Sequence, residues 1–570
     1  MKSRTLLAAG LSALTLTACV LNLRAADTPA RKPNFVIFIA DDFSWHDVAC
    51  FGGPTDAKTP HLDKLAGEGM KLTSFYSPAA VCSPTRQSLL TGMYPVRTGA
   101  YPNHTMVKPG TKSLPHYLKP LGYRTLGVGK KHFAPPENYP FDQWLSMLGE
   151  ENAGGGEDAG DGDIDFKGLE QFINADKQRP FCAYIATHES HGPWTKGDQS
   201  AYDPAKLKNI APYMVDTPEA RKGLAKYYAE VTLCDAEVGA VLQTLKKTGQ
   251  DTNTIFLFVS EQGSSVPHGK WTLYNPGIRA AAIASWPGRI KPGSTNGALV
   301  QYVDILPTLI AAAGGDPAKA DTGCPDAAGN HGFDGRSFLD VLLGRTNQLR
   351  DAVFAEHTTR GINNGADAYG TRAVCDGRWK LIVNLEPEAE FKNAISDGAL
   401  IQSWRRKGQQ GDAFAAEQAA RYTRRPAVEL YDLQTDPWEL ANVAGRPENA
   451  ATLARLRAQL AAWMKQQGDE GHQTELEAFE HQPNGRRNKE GSATAGPATS
   501  APAAANPDRA ALFEKKDANH DGKLSREEFF AGQPDPNIAK TRFAKWDANQ
   551  DGFLSREEFI SLGKSKSAAP

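Results

Sequence analysis

The stretch Asn34-Phe-Val-Ile-Phe-Ile-Ala40, followed at once by Asp41-Asp42, decides the fold class of this chain. An unbroken apolar run of this length, bounded by polar residues, predicts a strand buried on both faces. Two further runs repeat the pattern. Phe181-Cys-Ala-Tyr-Ile-Ala-Thr187 ends in His188, and Thr254-Ile-Phe-Leu-Phe-Val-Ser260 ends in Glu261-Gln262-Gly263. Helical patterns lie between them, over 58–67, 112–121 and 223–247. Strands alternating with helices predict a largely parallel sheet with helices on both faces. In such folds ligands bind beyond the carboxyl ends of the strands. Each run delivers acidic, amide or imidazole groups to that edge.

The chain has 570 residues, room for roughly three to five units. Apolar residues make up 40% and charged residues 23%, which excludes a mostly disordered or collagen-like protein. A net charge of −2 gives no electrostatic case for nucleic-acid binding or for a basic membrane-surface protein. At the N-terminus Lys2 and Arg4 precede an apolar run, Leu6 to Val20, that is short for a bilayer, and small residues follow to Ala25-Ala26-Asp27. Residues 1–26 therefore read as a secretory signal peptide, and the protein is expected to be exported: periplasmic, secreted or lipid-anchored at the cell surface. Leu16-Thr17-Ala18-Cys19 also resembles a bacterial lipobox, so lipoprotein and ordinary cleavage both stand open. No later run offers about 18 consecutive apolar residues, and no transmembrane helix is expected. Seven cysteines are too few for a disulfide scaffold in an exported chain of this length, and the lack of a CxxC pair argues against a structural zinc site.

The first unit is placed at 33–345. Beyond it, Thr371 to Val374 and Trp379 to Leu385 flank an Asp376-Gly377-Arg378 hairpin turn. Val428 to Leu433 adds a strand, and Glu448 to Gln467 reads as an amphipathic closing helix. Residues 346–483 are thus expected to form a smaller antiparallel α+β subdomain. Residues 484–507 have the Ala/Pro composition of a linker. Then comes a repeat over 508–564, with two twelve-residue EF-hand loops. Their ligand positions are Asp517, Asn519, Asp521, Lys523 through its carbonyl, Ser525 and Glu528, then Asp547, Asn549, Asp551, Phe553 through its carbonyl, Ser555 and Glu558. Two Ca²⁺ ions are expected there. Leu512, Phe513, Phe529, Phe543, Trp546 and Phe559 are expected to share a small core.

Cys82-Ser-Pro-Thr-Arg86 runs into Gln87-Ser-Leu-Leu-Thr-Gly-Met-Tyr-Pro-Val-Arg-Thr-Gly99, where a helix is expected to start after a turn. The positive end of a helix there favours a nearby anion. This long motif resembles the signature of the type I sulfatases, and the resemblance extends from about Pro33 to about Asn442. It implies an alkaline-phosphatase-like α/β sandwich. It also implies that a formylglycine-generating enzyme converts Cys82 to 3-oxoalanine (formylglycine), whose hydrated aldehyde is the nucleophile. Arg86 matches the residue that holds it, and Asp41-Asp42 match the first metal-binding pair. Gly129-Lys-Lys-His132 is similar to the segment carrying a sulfate-contacting Lys130 and a catalytic His132. Thr187-His-Glu-Ser-His-Gly-Pro193 resembles the segment whose second histidine, His191, contacts sulfate, with His188 beside it. Lys270 falls where the family has its last sulfate-binding lysine.

One segment departs from that pattern: Glu261-Gln262 stands where the family usually has Asp followed by Asn or His. Both keep oxygen donors for a hard Ca²⁺ ion, and both are one methylene longer. The expected metal set is Asp41, Asp42, Cys82, Glu261 and Gln262, around one ion. The residues themselves suit the chemistry. Acids can hold a Lewis-acid cation, Arg86, Lys130 and Lys270 can stabilise sulfate oxygens, and His132 and His191 titrate near neutrality. The expected activity is hydrolysis of sulfate esters or sulfamates, with a sulfated carbohydrate as substrate. The Glu-Gln variant and the Gly-Lys-Trp after it resemble heparan-sulfatase-like and N-sulfoglucosamine-type members. Two alternatives stand beside it: a phosphodiesterase or phosphonate hydrolase of the same superfamily, and a catalytically spent calcium-dependent binding protein.

Overall fold

A computed structural model describes residues 31–148, 162–362, 364–366, 369–481, 507–531, 540, 543–544, 546–547 and 549–561. The expected signal segment 1–26 and, apart from Pro507, the expected linker 484–507 lie outside the described residues. Strands β1 (Asn34–Ala40), β2 (Met70–Tyr76), β3 (Arg124–Gly129), β4 (Gln143–Leu145), β5 (Phe181–Ala186), β6 (Thr254–Ser260), β7 (Arg279–Ser285), β8 (Ser294–Asn296) and β9 (Val300–Gln301) form one sheet. Its order is β4-β3-β5-β1-β6-β7-β2-β8, with β9 also on β2. The five strands from β4 to β6 are mutually parallel, and only β7 runs against its neighbours.

The continuous apolar runs are explained by two cores. Val36, Phe38 and Ala40 of β1 enter the core shared with Tyr228, Val231 and Val238, whereas Phe35, Ile37 and Ile39 enter the opposite core with Leu306 and Leu309. A strand covered on both faces has no polar side, so alternation disappears. Helix α1 spans Cys82–Thr91 and is buried along its whole length. It begins at Cys82 itself rather than after the turn, a start that Pro84 in the first turn permits, since its missing N–H needs no partner there. Helix α2 (Pro218–Thr248) is longer than its apolar pattern suggests. Thr217 caps its start by accepting from Ala220 N–H, and Gly249 closes its end at φ 69°. The pattern over 112–121 yields only a short helix, Leu114–Leu118.

The second sheet is antiparallel, β10 (Val353–Thr358), β11 (Gly370–Cys375), β12 (Trp379–Asn384) and β13 (Val428–Asp432), in that order. Between β12 and β13 the chain inserts helices α3 (Ala399–Gln409) and α4 (Ala413–Thr423), which the sequence reading missed. Their Trp404 and Tyr422 join the core beneath α2. Helix α5 (Ala450–Gln467) closes the other face of this sheet through Leu456, Leu460 and Trp463.

In the EF-hand region the two loops pair, Lys523 with Ser555 and Leu524 with Leu554. Phe513, Phe529, Phe543, Trp546 and Phe559 form the expected core, joined by Leu524 and Leu554, with Leu512 half-buried at its edge.

Candidate active site

The register of the parallel strands builds the site. Gly129 of β3 pairs with Ala186 of β5, Ile39 of β1 with the same Ala186, and Ala40 with Ser260 of β6. The next residues are Lys130, Thr187-His188, Asp41-Asp42 and Glu261-Gln262, so four strand ends deliver their groups to one line. β2 runs parallel to β6, both being antiparallel to β7, and leads through Ser77 to Val81 into Cys82. The loop after β6 returns Lys270 to the same place.

Asp41, Asp42, Arg86 and Glu261 are completely buried and Cys82 is nearly so. Cys82 Sγ lies 3.5 Å from Asp41 Oδ1 and 3.9 Å from Asp42 Oδ1. Lys130 Nζ donates to Asp41 Oδ2 at 2.7 Å, and Lys270 Nζ to Asp42 Oδ2 at 2.8 Å. Arg86 bridges the acids, with Nε 2.5 Å from Glu261 Oε1 and Nη2 3.5 Å from Asp41 Oδ2. The site therefore sets three carboxylates against three cationic side chains. Burial would raise the Asp41 carboxyl, but Lys130, His191 and Arg86 outweigh it and hold the group well below its usual range. Burial, with Asp41 adding, pushes the Glu261 carboxyl upward, and the Arg86 guanidinium 2.5 Å away opposes this by favouring the ionised form. Burial, then Asp41 and Glu261, push the Cys82 thiol well above its ordinary value, so a thiolate is disfavoured.

The histidines stand around this centre. His191 Nε2 is 3.7 Å from Asp42 Oδ2. Its Nδ1 is 2.7 Å from the Gly192 carbonyl, which can only accept, so Nδ1 carries hydrogen and Nε2 is the titrating nitrogen. Burial, then Lys270, lower the His191 pKa, and burial followed by Lys130 lowers His188 to about 3. His132 Nε2 is 2.9 Å from His104 Nδ1.

The donor set fits a hard divalent cation. Asp41, Asp42, Cys82 and Glu261 each offer a ligand atom within 4.8 Å of all the others. Gln262 extends Nε2 to 2.6 Å from Asp42 Oδ1 and 3.4 Å from Cys82 Sγ, while its buried Oε1 has no hydrogen-bond partner among the described residues. A half-turn of the amide brings that oxygen to the same groups. The extra methylenes of Glu261 and Gln262 thus do not carry them out of the site.

Sequence reasoning missed three contributors. His104 meets His132, and Ser265 donates to Asp42 Oδ2 at 2.5 Å. His268 is the third, held at φ 66° and almost fully buried. Its ring lies against Trp404 of α3 and Tyr422 of α4, and its Nε2 is 3.3 Å from the Gln418 carbonyl. The inserted helices therefore grip the loop that carries Lys270. No motif announces this, because the contacts join residues more than 100 positions apart. The EF-hand residues are also brought together: Asp517 accepts from Asp521 and Gly522 N–H, and Asp547 from Asp551 and Gly552 N–H.

Acids, cations and imidazoles at the carboxyl edge of this sheet define a hydrolase for esters of a tetrahedral oxyanion. The chain matches the sulfatase family over residues 33–315 and the EF hand over 509–529 and 539–562. It is 30% identical over 488 residues to human N-sulphoglucosamine sulphohydrolase, covering 78% of this chain and 92% of that one. It is 29% identical over 449 residues to an ulvan-active sulfatase of Formosa agariphila, covering 78% and 83%. A protein solved with its substrate D-glucosamine-2-N,6-O-disulfate shares the fold, at 19% identity and a TM-score of 0.58 over 78% of this chain and 99% of that one. So does the phosphonate monoester hydrolase of Agrobacterium radiobacter, at 18% identity and a TM-score of 0.58 over 76% and 96%. The chain belongs to the type I sulfatase family and is a sulfuric ester hydrolase.

Proposed function

We propose that this is an exported sulfatase acting on a sulfated carbohydrate, as an ester or a sulfamate, through formylglycine made from Cys82 by a maturation enzyme, with one Ca²⁺ at the catalytic centre and two in the EF-hands. The observation that carries the reading is Cys82 at the start of α1, among three buried carboxylates and three cationic side chains. The thiol itself is poorly suited to the chemistry there, since its surroundings oppose its ionisation. The modified side chain would supply an aldehyde hydrate as nucleophile, and Ca²⁺ would supply charge neutralisation for the sulfate oxygens. Asp41, Asp42, Glu261 and Gln262 would hold that ion. The names of the two relatives, acting on ulvan and on N-sulphoglucosamine, support a carbohydrate substrate. Export rests on the pattern of residues 1–26.

The side chains divide the remaining work. Arg86 holds the residue-82 side chain against Glu261. Lys130 and Lys270, next to Asp41 and Asp42, stabilise the sulfate oxygens where charge develops. His191 gives a proton from Nε2 to the departing oxygen or nitrogen, its Nδ1–H kept in place by Gly192. His132, paired with His104, would accept the proton of the modified residue-82 side chain as sulfate departs.

Mass spectrometry of the peptide bearing residue 82 tests the reading, together with turnover of an aryl sulfate by the wild type and Cys82→Ala. Formylglycine in active protein and no turnover by the variant are expected. An unmodified cysteine in fully active protein, or a Cys82→Ala variant that keeps its turnover, refutes the reading. The ratio of aryl sulfate to aryl phosphate turnover separates it from a phosphodiesterase or phosphonate hydrolase.

A further inference from the structure

A second cleft lies away from the residues of the catalytic centre, where α5 meets the loop around Phe333 and the approach to β10. It encloses about 410 Å³, within the range of small-molecule sites. Helix α5 contributes Gln459, Trp463, Gln466 and Gln467, spaced as one helical face. Phe333 and Phe354 line it as half-buried rings, and Phe354 is stacked parallel to Trp463 at 5.2 Å.

Its charges cancel. Arg350 is paired with Asp304, and Asp334 with Arg97 at 2.9 Å. At the rim Arg336 and Asp351 are exposed and of opposite sign. What remains is hydrogen-bonding capacity, with the one cationic donor among it already neutralised by Asp304. Trp463 Nε1, Arg350 Nε and Gln467 Oε1 are buried atoms on lining side chains, and none has a hydrogen-bond partner among the described residues. Buried polar atoms are rarely left unpaired, because each costs the desolvation of its group. Two donors, the three amide side chains of Gln459, Gln466 and Gln467, and flat apolar rings suit a ligand dense in hydroxyl and amide groups with apolar ring faces. They do not suit an anion, which the catalytic centre serves with its lysines.

We propose that this cleft binds an uncharged saccharide unit and so holds the enzyme on unsulfated stretches of its polymer. The role in tethering rests on the carbohydrate substrate proposed above, whereas the binding itself does not depend on turnover. The test uses the full chain, ¹⁵N-labelled at tryptophan, with the N-acetylglucosamine trimer as a neutral probe and inorganic sulfate as the anionic contrast. The Trp463 indole signal is assigned with Trp463→Phe. The trimer is expected to shift that signal saturably, and sulfate is not. Gln459→Ala combined with Gln466→Ala changes two side chains near the solvent edge. This variant should weaken the binding at least 5-fold, with melting temperature and turnover of a small aryl sulfate unchanged. No shift at 20 mM trimer, an equal shift with sulfate, or undiminished binding by the double variant overturns the proposal. The first of these outcomes would leave bound water alone to satisfy the three polar atoms. Activity measured in parallel keeps a failure of this cleft distinct from a failure of the sulfatase reading.

Discussion

Glu261→Ala probes both the buried charge balance and the proposed metal set. In the wild type the Glu261 carboxylate and the Arg86 guanidinium are fully buried and 2.5 Å apart. Removing one partner of such a pair costs about 3–5 kcal/mol, because the other charge is left in low dielectric. Arg86 keeps Asp41 at 3.5 Å, so the lower end, about 3 kcal/mol, is expected. That is a loss of several degrees in melting temperature for a domain of this size. The catalytic consequence is separate. Without its third carboxylate the cation site weakens, and half-maximal activity should need on the order of 10-fold more Ca²⁺, by the 10–100-fold cost of disturbing a metal site. The assay is aryl sulfate turnover against free Ca²⁺ held by a chelator buffer, with thermal melts on the same samples. Glu261→Gln keeps the shape and removes the charge, so it should show the calcium effect with less cavity. Full turnover at low calcium with an unchanged melt would refute the argument and make Glu261 a bystander.

Four further outcomes are expected. His357 is buried, neither ring nitrogen has a hydrogen-bond partner among the described residues, and burial, then Arg425 and Arg372, hold its pKa at about 3. In the unfolded chain it titrates near 6.5, so the group is neutral in both states above that pH and contributes no slope. Below about 6.5 only the unfolded state takes the proton, and stability should fall by ~1.4 kcal/mol per pH unit down to about pH 3. His357→Phe should flatten the slope of urea-unfolding free energy between pH 6 and 4 by about one proton, and an unaltered slope would show that other groups dominate. His268→Ala should cut turnover by about 10-fold to 10²-fold by loosening the Lys270 loop, with less effect on KM, measured by steady-state kinetics. Phe529 touches Phe543, Trp546 and Phe559 in the EF-hand core. Phe529→Ala should cost that unit about 3–5 kcal/mol and abolish its calcium-induced helix by circular dichroism. Truncation after Gly485 should leave aryl sulfate turnover intact, and a large loss would show that the tail completes the site.

The parallel sheet was legible because strands buried on both faces leave runs such as Asn34–Ala40, and the polar residues ending them sit where ligands bind. The EF-hand loops were legible because their ligands are local in sequence. Other parts were not. β7, Arg279-Ala-Ala-Ala-Ile-Ala-Ser285, is rich in alanine, which favours helix, and becomes a strand only between β6 and β2. His104, Ser265 and His268 reach the site through loop geometry rather than through a periodic or spaced signal. Glu261 and Gln262 read as a departure from the family pattern, and only their placement shows that the longer side chains still meet Asp41, Asp42 and Cys82.

The grip of α3 and α4 on His268 bears on how the chain can be dissected. The stretch matching the sulfatase family ends at residue 315, yet the loop bearing Lys270 is seated on Trp404, Gln418 and Tyr422. A fragment cut near residue 345 would keep every side chain proposed for the chemistry and lose the scaffold that aims one of them. Grafting the front portion onto another tail, or exchanging tails between relatives, would transplant a set of ingredients rather than a working centre. The inheritable unit of this enzyme is the pair of sheets together.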